Sequence, residues 1–209
     1  MFDFFGPDMI FRVIGFVIAI VVHEFGHALM ALLVGDDTAK RSGRVTLNPL
    51  AHLDVIGLLI IFIAPFGWAK PVMYDPRNIR INRRLGTILI VLAGPVMNVI
   101  TGLIFILILM PIVHSVAPFW TTTLGSFVFN AVNWIVFINL SLAIFNLIPI
   151  PPLDGWQILR SLLPSRVQFK LFTFERIGPF ILILLLLTPI GQAMFGAIID
   201  GVIGWFGIA

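Results

Sequence analysis

The chain contains no cysteine, which excludes disulfides and thiolate metal ligands alike. Charge is almost as scarce. Only 11% of the 209 residues are Asp, Glu, Lys or Arg, against 59% hydrophobic, and the mean hydropathy is +1.08. No soluble domain of this size hides so much apolar surface, so the composition is that of an integral membrane protein. Glu occurs only twice and His four times. The net charge of +3 is small, and the basic residues bunch in a few loops, where they speak of topology and not of nucleic-acid binding. The N-terminal stretch carries Asp3 and Asp8 before a long apolar run and has no cleavable-signal pattern.

Five apolar runs stand out: Ile10 to Val34, Val55 to Trp68, Leu85 to Val113, Leu124 to Ile150, and Ile177 to about Phe206. A spanning helix needs about 20 residues, so four qualify and the second, of about 14, does not. Lys40, Arg41 and Arg44 precede that short run, while Lys70, Arg77, Arg80, Arg83 and Arg84 follow it. The linker from His114 to Thr123 has no charged residue. Positive-inside logic puts both ends of the short run on the cytosolic face, as expected of a re-entrant segment. Its Gly57, Pro65 and Gly67 suit non-helical backbone buried in protein. The expected fold is an all-α polytopic membrane protein of about four to six transmembrane helices, in one domain over residues 1–209. The last run, with Pro189 and Gly191, is expected to kink or split. Trp68, Trp120 and Trp134 read as interface anchors, and His114 as a solvated loop residue.

Within the first run lies His23-Glu24-Phe25-Gly26-His27. His-Glu-x-x-His on a helix puts two imidazoles one turn apart on one face, where both can bind one zinc ion. The Glu between them is placed to take a proton from a water on that ion. Ionisable residues at membrane depth are costly and usually functional. The alternative is a pair of His side chains that merely hydrogen-bond across a helix bundle. From His27 to Val34 is seven residues, about 10 Å along a helix, so a metal there needs a water path from the cytosolic side.

Two His do not complete a zinc site; a third protein ligand and an open position are required. Asp154 is the leading candidate. It follows Pro149, Pro151 and Pro152, which end the fourth run's helix and leave an extended stretch with a carboxylate at its tip. Gly155 next to it permits close backbone approach. The other reading of Asp154 is an ordinary N-cap for a helix from Gly155 to Leu163. His52 and Asp54 form a second polar pair beside the short run, either as an additional ligand set or as plain polar contacts.

His23-Glu24-x-x-His27 together with Asn146-x-x-Pro149-x-x-x-Leu153-Asp154-Gly155 resembles the site-2 protease family of intramembrane metalloproteases. Gly94-Pro95-Val96-Met97-Asn98 is similar to that family's Gly-Pro-x-x-Asn element. The similarity extends from the first run to about Trp156. It implies His23, His27 and Asp154 as ligands of one zinc ion and Glu24 as the catalytic residue. Trp156 stands where many relatives have a second Gly, which affects packing beside the ligand. The 209 residues leave no room for PDZ or CBS domains, so control by an appended domain is not expected.

The expected reaction is hydrolysis of a peptide bond in or near the transmembrane segment of a membrane-protein substrate. The enzyme is expected in the cell membrane, in contact with lipid, with its active site opening toward the cytosol. His and carboxylate ligands favour zinc but also suit iron or cobalt. Asn146 and then Asn98 are candidates for oxyanion or substrate-backbone contact; each can instead hydrogen-bond between helices. Arg44-Val45-Thr46-Leu47 and Pro71-Val72-Met73-Tyr74 are expected as short strands near the cytosolic face, whose edge can take up an unwound substrate. The competing functions are a divalent-ion transporter, which has no need of Glu24, and an inactive substrate-binding relative.

Overall fold

The computed structural model describes residues 8–60, 67–109, 119 and 121–206. The described residues are helical and irregular, with no sheet. Helix α1 is Met9–Leu33; α2, α3 and α4 are the short Thr38–Arg41, Pro49–His52 and Val55–Ile60. Helix α5, Arg83–Ile104, continues as a π-helical turn over Phe105–Leu109. Helix α6 is Thr123–Asn146, α7 Asp154–Leu162, α8 Ser165–Lys170, α9 Phe172–Leu187 and α10 Pro189–Phe206.

Among the described residues, three segments are long and apolar enough to cross a membrane: Met9–Leu33, Arg83–Leu107 and Thr123–Asn146. Their starts follow local chemistry. The side chain of Asn82 accepts from Leu85 N at the head of α5, and Thr122 accepts from Gly125 N at the head of α6. The three helices pack on one another as the core. Lipid is as apolar as leucine, so close backbone packing must supply the association. Small residues make it possible: a Cβ on Gly15 would lie 2.9 Å from Trp134 O of α6, and one on Gly26 2.6 Å from Ala93 O of α5. Val132, Val136 and Leu140 of α6 form a buried cluster against Phe105 and Ile106.

The last apolar run is split as Pro189 and Gly191 suggested. Helix α9 ends at Leu187, Thr188 is extended, and α10 begins at Pro189 and packs back on α9 and against α6. Helix α9 has 16 residues, about 24 Å of rise, and does not reach the length of a full span.

The expected strands at residues 44–47 and 71–74 are not formed. Their place is taken by a single antiparallel bridge, Leu53 to Ala69, with Lys70 N donating to His52 O at 2.8 Å. The physical reason is that other groups claim the backbone. Thr46 N donates to Arg44 O, Thr46 O faces His52 Nε2 at 2.8 Å, and Val72 N donates to a side chain of α1. The bridge brings the two ends of the short apolar run side by side. Part of that run, residues 61–66, lies outside the described residues, as do His114 and Trp120. Trp134 lies under the Arg12 guanidinium, 5.7 Å from the ring centre.

After α1 the chain reverses at Gly35, whose φ of +103° disfavours any side chain. The next residue, Asp36, is fully buried. Its carboxylate accepts from Thr38 Oγ1 and Thr38 N, from Asp75 N at 2.6 Å and from Asn78 Nδ2, tying the end of α1 to the loop before α5. Burial pushes the Asp36 pKa up, but the hydrogen bonds from Thr38, Asp75 and Asn78 outweigh it and hold the carboxyl below its ordinary value. A depressed folded-state pKa contributes stability above the usual carboxylate range, and that contribution is lost as pH falls through the folded value. Asp36→Ala is expected to cost about 1–3 kcal/mol for donors left unpaired, read as a lower thermal midpoint in detergent at neutral pH. The difference from wild type should shrink in strong acid.

Candidate metal centre

Helix α1 carries His23 and His27 on the seam that also holds Gly15, Ala19 and Gly26, the face turned to α5 and α6. The two imidazole rings stand nearly perpendicular, with Nε2 atoms 3.0 Å apart. Asp154 Oδ2 comes to 3.1 Å from His23 Nε2 and 3.3 Å from His27 Nε2. Among the described residues this is the one group of His, Asp or Glu whose ligand atoms converge. Asp154 does not serve as an N-cap: Leu153 occupies that position, and Asp154 is the first residue of α7, where a helix N-terminus favours a carboxylate. Gly155 lets the start of α7 lie on the preceding turn, since a Cβ there would fall 2.1 Å from Leu147 O.

The hydrogen bonds behind the imidazoles decide what these atoms can hold. His27 Nδ1 faces Ile90 O at 2.8 Å, an atom that only accepts, so Nδ1 carries the proton. His23 Nδ1 faces Asn98 Oδ1 at 2.7 Å. That amide is oriented in turn by backbone: Asn98 Nδ2 donates to Ala19 O at 2.8 Å and to Asn139 Oδ1 at 2.9 Å, and Asn139 Nδ2 donates to Ile135 O. Both Nδ1 atoms are therefore donors, and both Nε2 atoms of the neutral rings present lone pairs. Asp154 Oδ2 is buried and has no hydrogen-bond donor. Three electron-rich atoms at about 3 Å from one another repel unless a cation lies among them. Two imidazoles and one carboxylate fit zinc in a catalytic ligand set, which takes three protein ligands.

Room for this arrangement comes from α5. A Cβ on Gly94 would stand 2.4 Å from His27 Nε2 and 2.8 Å from His23 Cε1. The carbonyl that His27 uses, Ile90 O, lies one turn before Gly94 on the same helix.

These observations meet the comparisons with known proteins. The family model of peptidase family M50 matches residues 11–123 and 112–188. The chain belongs to peptidase family M50, the site-2 protease family. This M50 chain is 41% identical over 188 residues to the putative zinc metalloprotease YwhC of Bacillus subtilis, covering 88% of this chain and 83% of that one. It is 28% identical over 200 residues to the putative zinc metalloprotease Rip2 of Mycobacterium tuberculosis, covering 91% and 70% of the two. The Rip2 protein of Mycolicibacterium smegmatis is 28% identical over 180 residues, covering 84% of this chain and 66% of that one. No solved structure matches. Family and names together support a membrane metalloprotease.

The other expected residues fall as follows. Glu24 is half-buried, and its Oε2 accepts from Val72 N at 3.1 Å, so the segment after the short run reaches over the motif. Asn98 is fully buried behind His23 with both N–H groups engaged, which leaves no donor for a substrate oxyanion. Asn146 closes α6 and gives one N–H to Leu142 O. His52 is buried and bonds Thr46 O, while Asp54 accepts from Gly57 N at the head of α4; neither joins the metal-ligand group. Glu175 pairs with Arg160 at 2.9 Å and accepts from Trp156 Nε1. Trp156 thereby docks α7, the helix carrying Asp154, onto α9. Sequence reasoning missed Asn139, the Ile90 carbonyl and Tyr74. Burial raises the Tyr74 phenol above its ordinary pKa; the charge of Arg160 counters this and that of Asp154 adds to it.

The Gly94 contact yields a direct expectation. Gly94→Ala should displace the His27 ring and weaken zinc binding roughly 10-fold or more, the scale seen when support around a metal ligand is disturbed. Competition with a chromophoric chelator measures this. An unchanged affinity would show that the rings do not need the space that Gly94 leaves.

Proposed function

We propose that this chain is a zinc-dependent intramembrane endopeptidase, a single membrane-embedded domain that hydrolyses a peptide bond in or near the transmembrane segment of a membrane-protein substrate. The observation that carries this reading is the convergence of His23 Nε2, His27 Nε2 and Asp154 Oδ2, all lone-pair bearing, beside Glu24. A bound zinc ion supplies Lewis-acid polarisation of the scissile carbonyl and lowers the pKa of water toward about 7.

The protein's own groups supply the rest. His23, His27 and Asp154 hold the ion, and the Nδ1–H bonds to Asn98 and Ile90 O keep both rings in the tautomer that leaves Nε2 bare. Glu24 takes a proton from the attacking water and returns it to the leaving amine; its hydrogen bond to Val72 N orients the carboxylate meanwhile. Asn146, at the turn that leads to Asp154, offers an N–H to the developing oxyanion. Asn98 acts instead through His23.

The setting belongs to the same proposal. The motif lies in the C-terminal half of α1, and that helix runs on into the loops rich in Lys and Arg, which supports a site opening to the cytosolic face of the cell membrane. The joined ends at Leu53 and Ala69 support a re-entrant course for residues 55–68. Three helices long and apolar enough to span support a multi-pass protein in contact with lipid; four to six spans, and a role in regulated intramembrane proteolysis, belong to the proposal.

Purified protein in detergent should cleave a transmembrane-segment reporter, lose that activity to a chelator and regain it with zinc. Glu24→Gln should lower the rate at least 100-fold, the contribution of a general base, while binding zinc as wild type does. Persistent cleavage by Glu24→Gln would remove the assigned base. Chelator-sensitive ion flux in vesicles, unaffected by that substitution, would favour the transporter.

A further inference from the structure

Two asparagines, Asn98 of α5 and Asn139 of α6, are fully buried where three membrane-spanning helices meet. Burying amides there is costly unless every group is satisfied, because hydrocarbon offers no water to repair a missing bond. Here the bonds form one directed chain. Ile135 O accepts from Asn139 Nδ2, Asn139 Oδ1 accepts from Asn98 Nδ2, and Asn98 Oδ1 accepts from His23 Nδ1. The chain starts at a backbone carbonyl and ends at a metal-ligand imidazole.

We propose that Asn139 is a positioning residue for the metal centre, acting through Asn98 to fix the tautomer of His23. The inference rests on the metal-centre reading above. An amide has nearly the same shape when flipped. A flipped Asn98 would present its NH₂ to His23 Nδ1, driving the imidazole proton onto Nε2 and blocking the ligand atom. Two acceptors oppose that flip: Ala19 O and Asn139 Oδ1, each within 2.9 Å of Asn98 Nδ2. Asn139 cannot turn to accommodate the flip, since Ile135 O holds its own NH₂ at 2.8 Å. Removing Asn139 Oδ1 leaves one guard where there were two. The role differs from that of a residue that merely packs, because its effect must pass through Asn98.

Zinc affinity of the full chain in detergent, measured by chelator competition, tests this. Asn139→Leu replaces the amide by an apolar group of similar size and is expected to weaken zinc binding about 10-fold, within the range for outer-shell partners of metal ligands. Asn98→Leu should weaken it at least as much. The double variant should bind no more weakly than Asn98→Leu alone, since a residue acting only through Asn98 has nothing left to act on. Wild-type affinity in Asn139→Leu, or additive losses in the double variant, overturns the proposal. Should Asn139→Leu fail to fold, Asn139→Asp takes its place. As a neutral acid it keeps an acceptor for Asn98 and an O–H for Ile135 O, so it should bind zinc nearly as wild type does. A folded Asn139→Asp protein as weak as Asn98→Leu also overturns the proposal. If wild type binds no zinc, the metal-centre reading falls with it; if wild type binds and the variants do not differ, the positioning role alone falls.

Discussion

The close approach of α1 to α5 governs the site. At Gly26 the backbones come near enough that a Cβ would meet the carbonyl of Ala93, and at Gly94 the facing helix leaves room for the His23 and His27 rings. Without that approach, Nδ1 of His27 would not reach Ile90 O and Asn98 would not reach His23. Spacing the helices apart by even one methyl group would therefore cost more than packing. It would free both rings to turn, and a metal site with unheld ligands is a weak one. The same geometry explains why the Asn98 amide and the two Nδ1 atoms are tolerated there, since each faces a partner of the opposite kind.

A second layer of support comes from the other end of the chain. Asp154 sits at the tip of α7, and α7 is held from behind. Trp156 gives its indole N–H to Glu175, Arg160 pairs with the same carboxylate, and a Cβ on Gly178 would fall 2.4 Å from Pro151. Asp154 is thus braced from behind by α9, which carries Glu175 and Gly178. Trp156, two residues after Asp154, is part of that brace.

How much of this was legible in the sequence follows from the range of the interactions. The spacing of His23 and His27 is one helical turn, a local fact, so it was readable without a structure. Asp154 was readable because three prolines break the helix before it, and Pro189 with Gly191 announced the split of the last run for the same reason. The strands at residues 44–47 and 71–74 were misread. Their β-branched residues have the right propensity, but His52 and Glu24 claim backbone groups that a ladder needs, at Thr46 O and Val72 N, and such claims come from the fold. Asn98 was found by its motif, and of its two readings the bond between helices, to His23, is the one seen; Asn139 is one of several Asn in its run and carries no local mark of its partner. His52 and Asp54 looked like a ligand pair because of residue type alone; each has a nearby backbone partner instead.

The ligands lie far apart in the chain, and this matters while the protein is being made. Helix α1, with both imidazoles, leaves the ribosome first, and Asp154 emerges only after α6, on the order of ten seconds later at ordinary rates of synthesis. In that interval Asn98 and Asn139 are made in turn, so in order of synthesis the partners of His23 precede the carboxylate. The newborn chain holds two ligands and no third. On the reading proposed above, the chain is therefore inserted into the membrane before the ligand set that peptide cleavage requires is complete.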